Sequence, residues 1–218
     1  MGANIGFYSI AFANRLKKLE RGRIFAFEPI LHNYRRLQEN IALNGFQNII
    51  IPFPLALGDV EKECTMIFDA RHKATTGNAA LVMGSIDPVQ GPQVEKEKQI
   101  VTMKRLDEVA EKLEIDHCSF IKLDIEGAEV FFLRGAKSFI EKNRPIIFGE
   151  FNHWWMEQYG VSYEEAGDLL IPLGYIFYQY QKGKFYKQTT PFGENLLLLP
   201  SSECKKVSAK LGRIFRSI

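Results

Sequence analysis

The sequence predicts an α/β protein whose mainly parallel sheet is covered by helices on both faces. Short, continuous apolar runs alternate with segments of helical period along the chain. Such runs are typical of strands that are buried on both faces, because neither face meets water. The length of 218 residues, with 46% hydrophobic and 25% charged residues, is that of an ordinary globular chain with one large core. We therefore predict a single domain over 1–218.

The elements follow in order from this alternation. Residues 7–19 predict a helix, and the apolar run 24–27 predicts a strand that ends at Glu28. Tyr34, Leu37 and Ile41 then repeat at helical spacing, and Gly45 stands where a glycine would end that helix. Further strands are predicted over 48–53, 120–123 and 146–148, with a helix through Val130, Leu133, Lys137 and Ile140 between the last two.

Two regions depart from the alternation. Within 60–105, the stretches 64–68 and 99–103 have a period of two, which predicts an inserted antiparallel pair. The polar loop 69–92 between them is predicted to act as a lid over the acceptor. Residues 175–186 predict a hairpin, followed by a strand over 195–199 and, from 205 to 218, a basic amphipathic tail. This tail could rest on an anionic membrane surface, although packing on its own domain is the commoner outcome.

Composition excludes several classes of protein. A formal net charge of +2 argues against a nucleic-acid-binding protein, which usually carries a strong basic excess. The three cysteines, Cys64, Cys118 and Cys204, form no CxxC pair and indicate reduced thiols. No apolar run approaches the length of about 18 residues that crosses a bilayer, and no signal peptide precedes the first turn. We therefore expect a cytoplasmic protein.

A glycine turn opens the first predicted helix. Gly2 and Gly6 flank Asn4, and glycines at this spacing let the backbone approach a ligand that a Cβ would exclude. The helix that follows offers N–H groups and the positive end of its dipole to an anion. Alone, such a turn is more often simple turn chemistry.

The acid at position 28 strengthens the case for a nucleoside ligand. Glu28 ends the next strand, where open α/β sheets place a carboxylate that accepts hydrogen bonds from ribose hydroxyls. The alternative is an exposed charge at a strand end. Because no third glycine is in register, a small ligand with one carboxylate, such as S-adenosylmethionine, is favoured over a dinucleotide.

Taken together, the motifs resemble those of the FkbM-type methyltransferases, a branch of the S-adenosylmethionine-dependent class I fold. The resemblance covers about residues 1–155 in order. It is carried by Gly2-Ala3-Asn4-Ile5-Gly6, Phe27-Glu28-Pro29 with Asn33, Tyr34 and Asn40, Ala56-Leu57-Gly58-Asp59, Leu106-Asp107, Ile121-Lys122-Leu123-Asp124-Ile125-Glu126-Gly127-Ala128-Glu129, and Arg144-Pro145 with Glu150.

The resemblance implies a Rossmann-like sheet and methyl transfer from S-adenosylmethionine to a hydroxyl oxygen of a sugar, glycan or natural product. It also implies that the glycine turn lines the methionine part of the donor and that Glu28, followed by Pro29, holds the ribose. Ala56, Leu57 and Asp59 would border the adenine. For Asp59 a Gly-Asp turn that opens the inserted pair is an equally good interpretation.

One feature departs from the family pattern. In the family an apolar strand that ends in an acidic residue precedes the glycine turn, and here Met1 stands where that strand would finish. This strand is the central one, so its loss would leave backbone groups of its neighbours without partners. We expect weak donor binding and marginal stability of the chain as it stands, and upstream residues that restore the strand should raise both.

The acids at strand ends are the candidate catalytic groups. Methyl transfer to a hydroxyl needs a base, or a metal, to activate the nucleophile. Asp124 ends the strand 120–123 and is the first candidate for the base, and Glu150 ends the next strand. Lys122 points to the same side as Asp124 and would pair with a carboxylate, because a buried lysine without a partner is costly.

The remaining candidates each have a competing interpretation. Glu126 either frames the acceptor pocket with Asp124 or, like Glu129, stabilises the first turn of a helix. His153 is a further candidate base or a surface histidine beside Trp154 and Trp155, which form a sugar-stacking wall or part of the core. Asp124, Glu150 and Asn152 are hard oxygen ligands, but their spacing does not demand a metal, and we assign none.

Two other functions use the same sequence features. A nucleotide-dependent oxidoreductase would bind a dinucleotide, against which the absent third glycine argues. A degenerate methyltransferase fold would serve as a binding module without catalysis, and the missing first strand supports this alternative. Binding of labelled S-adenosylmethionine, followed by a test for turnover, separates the three.

Overall fold

The computed structural model describes residues 1–69, 80–81, 96–211 and 215–216 of the chain. The predicted lid, 69–92, therefore lies outside the described residues apart from Asp69 and Ala80–Leu81, as does the end of the predicted tail. The chain forms two compact units. The first unit holds Met1–Leu57 and Glu61–Lys104, and the second holds Gly58–Val60 and Arg105–Ile218.

Within the residues that the structure describes, the first unit contains two helices and six strands. They are α1 (Phe7–Leu19), β1 (Ile24–Phe27), α2 (Leu31–Leu43), β2 (Ile50–Phe53), β3 (Ala56–Leu57), β4 (Lys62–Asp69), β5 (Ala80–Leu81) and β6 (Lys96–Lys104). Strands β1 and β2 pair in parallel, with Phe27 opposite Phe53. Leu37 and Ile41 of α2 pack with Ala26 of β1 in one apolar cluster, as their helical spacing predicts.

The inserted antiparallel pair is confirmed. Strand β4 runs antiparallel to β6, with Cys64 opposite Val101, and β5 pairs with the other edge of β4. Strand β3 adds to β6 in parallel, with Leu57 opposite Lys104. These four strands form a sheet of their own, in the order β3-β6-β4-β5.

The second unit contains six helices and six strands among its described residues. They are α3 (Leu106–Lys112), β7 (Phe120–Leu123), α4 (Glu129–Gly135), α5 (Lys137–Asn143), β8 (Ile146–Phe151), α6 (His153–Gln158), α7 (Tyr163–Leu170), β9 (Tyr175–Gln181), β10 (Lys184–Gln188), β11 (Gly193–Pro200), α8 (Ser201–Leu211) and β12 (Phe215–Arg216). The sheet order is β12-β10-β9-β11-β8-β7. Strands β7 and β8 are parallel, whereas β8, β11, β9 and β10 alternate in direction.

Several element boundaries differ from the sequence prediction, among them the following three. The helix predicted through Val130 and Ile140 is two helices, because Gly135 is a poor helix former and the backbone leaves helical φ at Ala136 (φ −117°). Strand β8 continues through Glu150 to Phe151, so Glu150 lies within the strand. The last helix begins at Ser201, before the predicted tail.

The α/β class, the hairpin of β9 and β10, and the strand that follows it are confirmed. In the described part of the chain, no helix combines the length and the apolar character that a bilayer crossing requires.

Candidate functional site

The N-terminal turn has an irregular backbone conformation. Gly2, Asn4 and Gly6 all have positive φ, at 62°, 49° and 95°. The Ala3 N–H donates to the Phe27 carbonyl at the end of β1 (3.0 Å), and the Gly6 N–H donates back to the Ala3 carbonyl (2.9 Å). The turn is therefore fastened to the strand end that precedes Glu28.

Glu28 holds this turn together with the loop that follows β1. Its Oε2 accepts from the Asn4 N–H (2.8 Å), and its Oε1 accepts from the Ile30 N–H (3.0 Å) and from Asn33 Nδ2 (3.4 Å). The residue is 4% exposed. Burial raises the pKa of its carboxyl group, and these hydrogen bonds oppose the increase. The turn and Glu28 thus meet at one place, and the ribose-binding role of Glu28 stays a prediction.

The first turn of α1 suits an anionic group. Gly6 caps the helix in a left-handed conformation, and its position offers no side-chain oxygen to the N–H groups of the first turn. A Cβ at Gly6 would lie 2.6 Å from Leu37 Cδ1, so both packing and φ require glycine. Because α1 is 13 residues long, its dipole adds to the attraction for a carboxylate such as that of a methionine moiety.

The loop after Glu28 is held by a residue that the sequence analysis did not select. Gln99 of β6 donates from Nε2 to the Pro29 carbonyl (2.9 Å) and accepts at Oε1 from the Leu31 N–H (3.0 Å). Its side-chain amide therefore satisfies one donor and one acceptor of the loop. Ala56 and Leu57, which were predicted to border the adenine, are buried in β3.

In the second unit, the strand-end acids gather around a lysine. Lys122 of β7 lies opposite Phe148 of β8, and its Nζ contacts Asp124 Oδ2 at 2.9 Å, as predicted. The same Nζ lies 5.8 Å from the centre of the Phe148 ring. Asn152 donates to Glu150 Oε1 (3.4 Å). Burial and the negative charge of Asp124 both raise the pKa of Glu150, whereas the charge of Lys122 lowers it.

Glu126 lies in a turn between β7 and α4, and so it does not stand in the first turn of the helix, which was one of its two interpretations. Its φ is +53°, and that of Gly127 is +94°. Burial raises the pKa of Glu126 to about 7, with further contributions from the negative charges of Asp124 and Glu150. This value makes Glu126 a carboxyl group that both accepts and releases a proton near neutral pH.

Glu129 begins α4 as predicted, but it is 1% exposed. Its Oε1 accepts from the Ile125 N–H (3.1 Å), and its Oε2 has no hydrogen-bond partner among the described residues. Burial, with a smaller contribution from Asp124 and Glu126, raises its pKa to about 8. We call Asp124, Glu126, Glu129 and Glu150 the acidic cluster.

A pair of tryptophans adjoins the cluster. A Cβ on Gly127 would lie 2.7 Å from the Trp155 carbonyl carbon and 2.8 Å from Trp155 Cβ, so α6 packs directly against the turn that follows Glu126. The rings of Trp154 and Trp155 meet edge to face with centroids 4.7 Å apart, and Trp154 is 48% exposed. The side-chain oxygen of Asn152 accepts from the backbone N–H groups of Trp154 and Trp155 and so caps α6.

Two predicted site residues have partners outside the acidic cluster. His153 pairs with Glu157 (3.0 Å), and its ring contacts Tyr163 and Phe192. Asp59 Oδ2 lies 3.7 Å from Arg134 Nη1. Their proposed roles as base and adenine contact stay predictions.

The cluster does not have the arrangement of a metal site. Over the described ranges, no three or more His, Cys, Asp or Glu side chains are placed so that they could hold one ion.

Comparison with known proteins gives the family. The sequence profile of the Methyltransferase FkbM domain matches residues 1–177. The AMB antimetabolite synthetase AmbE of Pseudomonas aeruginosa is 28% identical to this chain, over 67% of the chain and 8% of that protein. The crystal structure of methyltransferase FkbM from Methylobacillus flagellatus KT matches with a TM-score of 0.53 and 18% identity, over 90% of this chain and 41% of that chain.

The structural match supports a Rossmann-like methyltransferase fold, and this chain spans less than half the length of either matched protein. Because the family profile covers well over half of the residues, the chain belongs to the FkbM methyltransferase family.

Proposed function

We propose that this methyltransferase uses S-adenosylmethionine to methylate a hydroxyl oxygen, and that Glu126 receives the hydroxyl proton. The observation that carries the proposal is the position of Glu126 in the acidic cluster, where burial and neighbouring carboxylates raise its pKa to about 7. A general base is most effective when its pKa lies close to the working pH, because it is then both ionised and basic.

The first unit supplies the groups that would hold the donor. The uncapped first turn of α1, after Gly6, would bind the carboxylate of its methionine part, and the turn at Gly2 and Asn4 would lie along it. Ile30 and Asn33 both donate to Oε1 of Glu28, whereas Oε2 retains one lone pair beyond that used by Asn4, and this would accept from a ribose hydroxyl. When bound, the donor supplies an electrophilic methyl group on a sulfonium.

The second unit supplies the groups that would activate the acceptor. Asp124 was the first candidate for the base, but its ion pair with Lys122 engages one of its oxygens. We therefore assign proton acceptance to Glu126 and orientation of the acceptor to Asp124 and Glu150. The proposed acceptor is a hydroxyl of a sugar, a glycan or a natural product.

Donor binding is tested first, by equilibrium dialysis with labelled S-adenosylmethionine. We expect saturable binding that unlabelled S-adenosylhomocysteine displaces and that NAD does not. Absence of donor binding would contradict the proposal. Binding without transfer to any acceptor of a broad hydroxyl panel would favour a non-catalytic binding module.

Glu126→Gln then tests the assignment of the base. The amide cannot take the proton, so we expect the rate of methyl transfer to fall by about 10²- to 10⁴-fold while the donor Kd stays within twofold.

In the wild-type chain, kcat/KM should rise with pH through about 7, because the base acts only when ionised. Glu111→Gln, an exposed change on α3 with the same loss of charge, is the control. A Glu126→Gln rate equal to that of the control would exclude Glu126 as the base.

A further inference from the structure

The carboxyl groups of the acidic cluster are close enough for their charges to act on one another. Lys122 lowers the pKa values of Glu126 and Glu150, yet both stay above their ordinary values. Glu194 of β11 adds a further negative charge close enough to Glu150 to raise its pKa. Where two of these carboxyl groups are ionised, their charges repel one another at a cost in free energy, which a bound cation would relieve.

A buried oxygen within the cluster points independently to a missing partner. Glu129 is almost fully buried, and its Oε2 has no hydrogen-bond partner in the described part of the chain. Its Oε1 is bonded to the N–H next to Asp124, and its carboxyl group is close enough to Asp124 and Glu126 for their charges to act on it. Native proteins leave few buried polar atoms without a partner, so such an atom needs an explanation. A ligand that brings N–H donors would supply one.

The neighbouring aromatic pair suits the same kind of ligand. The backbone and Cβ of Trp155 pack against Gly127, the residue after Glu126. The neighbouring Trp154 exposes about half of its surface. An indole ring attracts cations through the negative face of its π-system, and this attraction adds to that of nearby carboxylates. An exposed indole on the helix that packs against the Glu126–Gly127 turn would therefore favour an organic cation over a neutral molecule.

The geometry also distinguishes an organic cation from a metal ion. The described carboxylates are not placed to coordinate a single ion. Mg²⁺ requires several oxygens close to 2.1 Å in near-octahedral geometry, whereas an ammonium group accepts hydrogen-bonding carboxylates at varied distances and directions.

We infer that the acceptor of this enzyme carries a protonated amine, which the acidic cluster and the Trp154–Trp155 pair recognise. The inference rests on the proposed function, in which this cluster activates the acceptor hydroxyl. The acceptor class is thus an amino alcohol, with its ammonium held by carboxylates and its hydroxyl presented to Glu126. The positive charge would also draw Glu126 towards its ionised form and so prepare the base when the acceptor binds.

Tryptophan fluorescence tests the inference directly, because Trp154 and Trp155 are the two tryptophans of the chain and both belong to the proposed site. The probes are serinol, which is protonated at pH 7, and glycerol, its neutral isostere, titrated at constant ionic strength. We expect serinol to bind at least about tenfold more tightly than glycerol, the ratio expected of a cation that meets carboxylates and an indole ring. Equal affinities for serinol and glycerol would overturn the inference. So would the absence of serinol binding at concentrations up to about 100 times a typical KM of about 1 mM.

Matched variants test whether the acidic cluster causes the preference for serinol over glycerol. Glu150→Gln should reduce the preference for serinol severalfold, since it removes one carboxylate and leaves the side-chain shape unchanged. Glu111→Gln removes the same charge from an exposed position on α3 and should leave the preference as in the wild type. Equal losses in the two variants would mean that net charge, and not the cluster, selects the cation.

Failure of the inference can be told apart from failure of the proposed function. Transfer of labelled methyl to neutral and cationic alcohols with equal kcat/KM would retain the methyltransferase proposal and overturn the inference. Selective binding of serinol by a chain that binds no S-adenosylmethionine would retain the cation site and contradict the proposed function.

Discussion

At the scale of single residues, the turn at Glu126 and Gly127 holds the side chain that we propose as the base. Both residues have positive φ, which L-amino acids with side chains rarely adopt. Such conformations cost free energy and are common where a side chain must be held for function. Here the turn places Glu126 beside Asp124 and Glu150, and glycine at 127 lets the backbone of Trp155 approach.

Gly127→Ala should therefore destabilise the protein strongly. The new Cβ would lie 2.7 Å from the Trp155 carbonyl carbon, in addition to the cost of φ at +94°. We expect a loss of about 2–4 kcal/mol in the free energy of unfolding, measured by urea denaturation. Tryptophan emission of the folded variant should also shift, because Trp155 must move.

Gly160→Ala is the control for the backbone conformation alone. Its φ is +65°, and a Cβ there meets no atom within 4 Å, so we expect a loss of only about 1 kcal/mol. Similar losses for the two variants would show that φ, and not the approach of Trp155, makes glycine necessary at 127.

At the scale of elements, the inserted pair contacts the proposed donor site through Gln99. This residue of β6 bonds both the Pro29 carbonyl and the Leu31 N–H, and so orders the loop that contains Glu28 and Ile30. The insertion thus bears on the first unit's candidate site through one side chain.

We predict that Gln99→Met weakens donor binding without unfolding the protein. Loss of two hydrogen bonds should lower the free energy of unfolding by about 1–2 kcal/mol and loosen the loop around Glu28. The Kd for S-adenosylmethionine, measured by calorimetry, should rise severalfold. Gln99→Glu keeps the acceptor for the Leu31 N–H and loses the donor to the Pro29 carbonyl. Its Kd for S-adenosylmethionine should therefore lie between those of the wild type and Gln99→Met. Lys98→Met, at an exposed position of the same strand, serves as the reference, and an equal Kd in all four proteins would refute the role of Gln99.

Local sequence patterns predicted most of the elements. Helix α1 and strand β1 have the predicted bounds because glycine turns and an acid–proline pair delimit them. The break between α4 and α5 was missed, since apolar residues keep one helical period across Gly135 and Ala136. Periodicity records which faces are buried and does not record a change in helix axis.

The candidate site was predictable only in part, for a related reason. Glu28 and the glycine turn could be paired from the order of strand and helix. Gln99 could not, because its contacts with Pro29 and Leu31 join residues about 70 positions apart through a sheet whose register no local pattern gives. The burial of Glu129 likewise depends on tertiary packing, whereas its sequence position indicates an ordinary acid in the first turn of a helix.

At the scale of the whole molecule, the buried acids make stability depend on pH. The pKa values of Glu126 and Glu129 are raised from 4.5 to about 7 and about 8, and burial is the main cause for both. Burial also raises the pKa values of Glu28 and Glu150. The folded chain therefore holds protons that the unfolded chain releases, and its stability falls as pH rises over this range.

The direction of this pH dependence and its pH window follow from the unfolded and folded pKa values of Glu126 and Glu129. Below about pH 4.5 both states are protonated, and the contribution of these groups to stability is fully present; it is then lost as pH rises through 7 for Glu126 and through 8 for Glu129. Since each unit of pKa difference corresponds to about 1.4 kcal/mol, the free energy of unfolding should fall by a few kcal/mol between pH 5 and 8.5.

Glu129→Gln isolates the more deeply buried of the two acids. Because the amide does not ionise, the variant should lose stability about half as steeply as the wild type between pH 5 and 7 and then level off, whereas the wild type continues to lose stability up to about pH 8. Urea unfolding at half-unit steps from pH 5 to 9 measures both curves, and Glu111→Gln should follow the wild type throughout. The wild type and Glu129→Gln share all their other titrating groups, so the difference in slope between these two curves from pH 5 to 8 belongs to Glu129. Parallel curves for Glu129→Gln and the wild type in that interval would mean that Glu129 is ionised in the folded protein, and that a partner for its carboxylate exists.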